Sequence, residues 1–366
     1  MDTIFVVIGC DGDPDRADYG GTRYDNADGP LKWVGLEQTF AFTRELTTHF
    51  HQQHGLSVRW TLNIRVDDQV ERAYQDSAWV LKAYGAVLQA MEQEGHEIAW
   101  HPHLWRWSAP NGCWMQEMTD NSWIQTNLSR WHASFISAWG RAPRTVHGGW
   151  MHQNDVSMQT LDQLGISVEY SAIPGSRSPG SPTQDGSDFC GAFDWSICPP
   201  HAYYPSPSDY RTGSPHPTVN SLQVLEVPTF TFNSTGIDLL RAIADFRRLR
   251  GKKRWSSFFN KNNKTIFVNA ASPPVMFQKS FHKFMRVRHR FPVYVTYFHA
   301  DELLTDQCRS YRRWLYHPDH LKRNIAFMIE TASGNSVKIE FIRAEDVPFR
   351  LGHERPSPGP NETISI

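Results

Sequence analysis

The 366-residue chain carries 37 basic and 38 acidic residues, a formal net charge of -1, so nucleic acid, whose binding depends on concentrated Lys and Arg, is not an expected partner. With 40% hydrophobic and 13% aromatic residues it can bury a sizeable core, and no stretch reaches the roughly 18 to 20 apolar residues that span a bilayer. Five scattered cysteines, Cys10, Cys113, Cys190, Cys198 and Cys308, are odd in number and lack a zinc-ribbon pair, which fits free thiols.

The first apolar run, Thr3 to Gly9, has no basic region before it and stops at Asp11 and Asp13. It reads as a first strand and not as an export signal, so a cytoplasmic location is expected. Further strand-like runs follow at Val58 to Val66, His96 to Trp100, Thr145 to Gly149, Ile166 to Ser171, Gln223 to Phe232, Val293 to Phe298 and Ile325 to Thr331. Amphipathic helical patterns lie between several of them: Leu36 to His54, Ala78 to Glu94, Trp123 to Trp139, Val156 to Leu164 and Phe277 to His289. Repeated β then α predicts parallel strands in an open sheet or barrel. The rhythm is broken by Pro14 to Pro30, Pro174 to Asp188 and Pro199 to Pro217, rich in Gly, Pro, Ser or Asp, and long loops of this kind usually build a site or a lid. A basic stretch from Arg247 to Lys264 reads first as a solvated helix end and loop. One domain over 1–355 with a flexible tail over 356–366 is expected.

Three strand ends carry chemistry. Asp11 and Asp13 are two apart on extended chain and so share a face. Two like charges that close call for a cation or a raised pKa, and the pair suits one metal ligand plus one general base; an Asp-Gly-Asp-Pro turn is the alternative. His101 and His103 repeat the spacing around Pro102, and imidazole is the commonest protein ligand for first-row metals. His299 ends the strand Val293 to Phe298, at the kind of carboxyl end where catalytic groups converge; Asp301 and Glu302 after it also suit a helix N-terminus. Arg65 and Asp67 are another candidate source of site polarity but read first as the solvated end of the second strand.

These residues resemble a family. Gly95-His96-Glu97-Ile98 followed by His101 resembles the second motif of the NodB-homology polysaccharide deacetylases, carbohydrate esterase family 4, whose first histidine binds metal. Asp11-Gly12-Asp13 resembles their first motif, with a base followed by a ligand, and His299 is placed like their late general acid. The stretch from Val146 to Trp150, then Asn154-Asp155 and Tyr170-Ser171, is similar to the segment of the third motif. Phe193-Asp194-Trp195, Tyr203 to Ser206 and Leu225 to Pro228 are similar to later groove segments. The chain departs from the pattern in two places: Trp105 stands where many members have a second histidine, and His147 where an Arg orients the base.

The resemblance implies a distorted (β/α)7 barrel with its site at the strand C-termini. It implies a divalent cation, zinc or else Co, Ni or Fe, held by Asp13, His101 and, as the substitute ligand, His103. Asp11 is the expected base and His299 the expected acid, with His147, Trp150, Asp194, Trp195 and Tyr203 binding substrate. Trp105, Trp107, Trp150 and Trp195 lie on motif loops where flat faces could stack on sugar rings. The function so implied is removal of an N-acetyl or related acyl group from an amino sugar in a glycan or glycan precursor. Hydrolysis of another C-N bond in a small cyclic amide or ureide is one alternative, and a catalytically weak glycan-binding protein on the same scaffold is the other. The oligomeric state is left open.

Overall fold

The computed structural model describes residues 2–15, 31–180, 191–233, 265–290, 292–304 and 316–353. Outside them lie 16–30 and 181–190 of two expected loops, the basic stretch 247–264, the tail 356–366, Cys190 and Cys308. Cys10, Cys113 and Cys198 are buried.

Eight parallel strands form one curled sheet: β1 (Thr3–Gly12), β2 (Thr61–Ile64), β3 (Glu97–Trp100), β4 (Thr145–Val146), β5 (Val168–Glu169), β6 (Leu225–Glu226), β7 (Val293–His299) and β8 (Lys338–Ile342). Their order is β6-β5-β4-β3-β2-β1-β7, with β8 also on β1. β7 pairs along β1 from Phe5↔Val293 to Asp11↔His299. On the other edge β8 pairs with Thr3 to Val7, and β2 takes over from Gly9 to Gly12. β1 is therefore held on both edges over nearly its whole length, which fixes the direction of the carboxylates at its end. The curl is incomplete between β6 and β7, where Phe230 N donates to Val295 O at 3.3 Å.

Helices cross between the strands: α1 (Val34–His54), α2 (Gly85–Gln93), α3 (Asn121–Trp139), α4 (Asp155–Gln163), α5 (Pro274–Val287) and α6 (Pro318–Gly334). Each expected helix has its counterpart, and local signals set the ends. Asp120 accepts the Trp123 N–H at the start of α3, and Asn154 with Ser157 forms a capping box on α4. The buried Trp60, Trp100 and Trp131 pack between sheet and helices. No helix among the described residues is long and apolar enough to cross a membrane.

One expected strand is a helix. Ile325 to Thr331 lies inside α6, whose buried Leu321, Ile325, Met328, Ile329 and Ala332 recur every three or four residues. An apolar run of seven cannot by itself be told from a buried strand, whereas His317 capping the helix and Pro318 at its first turn decide it. The strand is instead β8, an alternating Lys-Ile-Glu-Phe-Ile. The expected strands at Thr145, Ile166 and Gln223 shrink to two residues each, since the chain turns out of the sheet at once. After β4 that turn is Gly149–Met151, and Trp105–Ser108 pairs with Cys113–Gln116 in a hairpin absent from the sequence expectations.

Candidate metal centre and neighbouring carboxylate

The strand ends bring Asp13, His101 and His103 together. Asp13 Oδ1 lies 3.7 Å from His101 Nε2 and 3.3 Å from His103 Nε2, and the two Nε2 atoms are 3.1 Å apart. Ligands about 2.0 to 2.1 Å from a tetrahedral Zn²⁺ are spaced about 3.3 Å from one another, so the triangle has the right edge length for one small cation. All three side chains are buried. His101 Nδ1 donates to the His147 carbonyl oxygen at 2.5 Å, which leaves the Nε2 lone pair facing the triangle, as an outer-shell partner does for a metal-binding imidazole. Burial and Arg65, resisted by Asp13, push His103 down to about 4, so its ring is neutral near pH 7. The residues present fit a divalent cation.

His103 is held by shape. A Cβ on Gly149 would lie 2.1 Å from its Cδ2, so only glycine tolerates the close approach, and Trp105 meets the ring edge-on at 4.4 Å between centroids. Trp105 thus packs against the His103 imidazole.

Arg65 overturns its expectation as a solvated strand end. It is 0% exposed, and its Nη1 donates to Asp13 Oδ1 at 2.8 Å. Burial raises the Asp13 pKa, but His103 and His101 outweigh it and hold the carboxyl well below the usual range.

Asp11 is the second carboxylate. Its Oδ1 accepts from Asn63 Nδ2 and His147 Nδ1, both at 2.8 Å, and Tyr170 donates to Asn63 Oδ1 at 2.6 Å while stacking on the His147 ring. Burial pushes Asp11 up, yet His147, His101 and His299 together hold it well below the ordinary carboxylate range. Its Oδ2 faces His299 Nε2 at 3.6 Å. On the far side of that ring, Nδ1 lies 3.3 Å from Glu302 Oε1, and Asn269 fixes Glu302 through a 2.7 Å bond to Oε2. The His299 side chain, at 19% exposed, is the open wall of the site.

Asn63, Arg65 and Glu302 are site residues that the sequence reading missed or assigned elsewhere. A signal existed for the first two: Asn63 and Arg65 put polar groups at alternate positions of an otherwise apolar strand end.

The expected substrate contacts divide. His147, Trp195 and Tyr203 are each 0% exposed, so the expectation that they touch substrate gives way to supporting roles. His147 holds Asp11, Trp195 Nε1 donates to Met151 O at 2.8 Å, and the Tyr203 hydroxyl donates to Tyr210 O at 2.9 Å. Trp150 and Asp194 are half-buried. Trp150 has φ 57° and ψ 22°, followed by Met151 at φ 56°, a left-handed pair that bulky residues rarely adopt. Such strain collects at functional sites. Asp194 pairs with Arg211 at 2.7 Å and lines a recess of about 300 Å³ with His152, Asn154, Arg177 and Phe193.

No family model and no curated protein matches the chain. Among solved structures it is similar to a protein provisionally described as a glycoside hydrolase/deacetylase from Parabacteroides distasonis, 10% identical, covering 96% of this chain and 71% of that one with a TM-score of 0.52. The fold is a distorted barrel of the deacetylase type. Looser likenesses, on which nothing rests, are to provisionally described polysaccharide deacetylases. One is from Mycobacterium smegmatis, 13% identical over 95% of this chain and 90% of that one with a TM-score of 0.46. The other is from Pseudomonas aeruginosa PAO1, 13% identical over 97% and 92% with a TM-score of 0.44.

Proposed function

We propose that the protein is a metal-dependent hydrolase that removes an acyl group from the nitrogen of an amino sugar. The observation that carries this is the ligand triangle of Asp13, His101 and His103, set beside an ionised carboxylate, Asp11, and a half-open imidazole, His299. Asp13, His101 and His103 would hold the cation, which when bound supplies Lewis-acid polarisation of water and of the scissile carbonyl. The ion we favour is zinc, which suits nitrogen and oxygen donors at this spacing.

The residues around the triangle then divide the proton work. Asp11, held by Asn63 and His147, presents Oδ2 as the acceptor for a proton from the attacking water. His299, oriented by Glu302 at Nδ1, delivers a proton from Nε2 to the departing nitrogen. Trp150, whose ring lies 6.1 Å from the Trp105 ring that meets His103, would offer the sugar an aromatic face, and Asp194 would offer a carboxylate from the recess it shares with His152 and Asn154. Because Asn63 and His147 both anchor Asp11, the lack of an Arg in the third motif does not favour a binding-only protein.

The test is acetate release from N-acetylated amino-sugar oligomers by protein loaded with Zn²⁺ or Co²⁺ after chelation, with a cyclic ureide as the competing substrate. Near-stoichiometric metal is expected, with acetate release that Asp11→Asn lowers about 10²- to 10⁴-fold. A protein that takes up no divalent metal, or one whose acetate release survives Asp11→Asn, overturns the reading.

A further inference from the structure

The proposed reaction asks nothing of Arg65, yet this buried guanidinium is committed to three separate acceptors. Its Nε donates to Asp67 Oδ2 at 2.5 Å, Nη1 to Asp13 Oδ1 at 2.8 Å and Nη2 to Gln69 Oε1 at 2.9 Å. Asp67 is likewise 0% exposed. Its Oδ2 also accepts the His103 backbone N–H at 3.1 Å, and its Oδ1 accepts the N–H groups of Gln69 and Val70. One carboxylate after β2 therefore reaches His103 after β3 directly, and reaches Asp13 after β1 through Arg65.

A lone positive charge beside a ligand oxygen would repel a divalent cation. Asp67 cancels that charge, and what remains is a rigid set of donors aimed in fixed directions, which a guanidinium supplies and an ammonium does not. We propose that the Arg65–Asp67 pair is a positioning brace that sets the separation of the ligands Asp13 and His103, acting through the guanidinium fork and not through charge. The brace rests on the metal-centre reading proposed above. Gln69 closes the third arm and keeps the guanidinium plane from rotating.

The test uses the full-length protein stripped by chelator and titrated with Co²⁺, reading affinity and the visible absorption of the bound ion. Arg65→Lys keeps the charge and loses the fork; it is expected to bind Co²⁺ about 10- to 100-fold more weakly, the usual cost of losing an outer-shell partner, with an altered absorption band. Arg65→Met alone would strand Asp67 without its counter-charge. The double variant R65M/D67N avoids this, and its Asn keeps one oxygen for the Gln69 and Val70 N–H groups while giving up the one that accepts the His103 N–H. Its Tm reports whether it is folded, and once folded it is expected to show the same weakened binding. If Arg65→Lys binds within twofold of wild type with an unchanged band, or the folded double variant does, the brace is overturned while the metal centre stands. A wild-type protein that takes up no Co²⁺ overturns both.

Discussion

The sheet holds two pairs of buried carboxylates, and the surroundings hold both members of one pair down while pushing Glu226 of the other pair up. Asp11 and Asp13 at the end of β1 meet four imidazoles, an amide and a guanidinium, and both are held below the usual range. Glu169 and Glu226 are register partners on β5 and β6, and each is 0% exposed. Glu169 accepts from the Ser171 N–H and hydroxyl and from Gln153 Nε2, whereas Glu226 accepts the Ala172 N–H. Burial and the charge of Glu169 push Glu226 well above its ordinary value, so it keeps its proton. Burial is common to both pairs; nearby cationic or proton-bearing rings are what make one of them ionised and fit for a base and a ligand.

The largest effect that tests this contrast is on turnover. Asp11→Asn removes the proton acceptor while keeping the Asn63 contact; acyl release should fall about 10²- to 10⁴-fold, with Co²⁺ affinity nearly unchanged. A fall in metal binding as large as the fall in rate would instead make Asp11 a ligand.

His103→Ala should weaken Co²⁺ binding by more than about tenfold, since it removes a proposed direct ligand where even outer-shell losses cost about 10- to 100-fold. Titration of the chelator-stripped variant checks it, and unchanged affinity would mean that another group completes the site.

The contrast also predicts opposite slopes of stability with pH. Asp11 and Asp13, with depressed folded values, contribute stability that is present above the unfolded carboxylate value and is lost as pH falls toward the folded value. Glu226 runs the other way, and so does Glu97, which burial and the charge of Glu345 raise from 4.5 to about 7. The unfolded chain releases that Glu97 proton first, so stability falls as pH rises from 4.5 to about 7. Glu97→Gln should remove this slope and raise stability at pH 7.5 by up to about 3 kcal/mol. Urea unfolding of both proteins at pH 5 and 7.5 measures the difference, and a parallel slope in the variant would assign the loss to another group.

The smallest expected effect is at the rim. Trp150→Ala should raise KM several-fold and leave kcat within about twofold, because the role proposed for Trp150 is contact with the sugar and not with the reacting groups. Steady-state kinetics on one oligomer resolves the split, and a fall in kcat alone would place the ring closer to the chemistry.

Much of the site was legible before any fold was known. Alternation at a strand end put Asp11 with Asp13 and His101 with His103, and the drop from apolar to polar marked His299. The partners of those groups were not legible. Asn63 meets Asp11 because β1 and β2 pair in that register, and a strand of four residues carries no mark of its register. Arg65 and Asp67 had the composition of a solvated turn and lie under the site instead. His147, Trp195 and Tyr203 were read as contacts from their place on motif segments, but place along the chain does not say which side of a loop faces a ligand.

Local chemistry written in the chain determined the alternation of strand and helix, the caps that begin α3 and α4, and the residue types able to hold a cation. These depend on neighbours within a few positions, where backbone geometry is nearly fixed. Only the tertiary structure decided that β8 and β2 share one edge of β1 and that Asp13 sits between two imidazoles and a guanidinium. Each of those outcomes depends on distances between strands far apart in the chain, and they in turn set which carboxylates keep their protons.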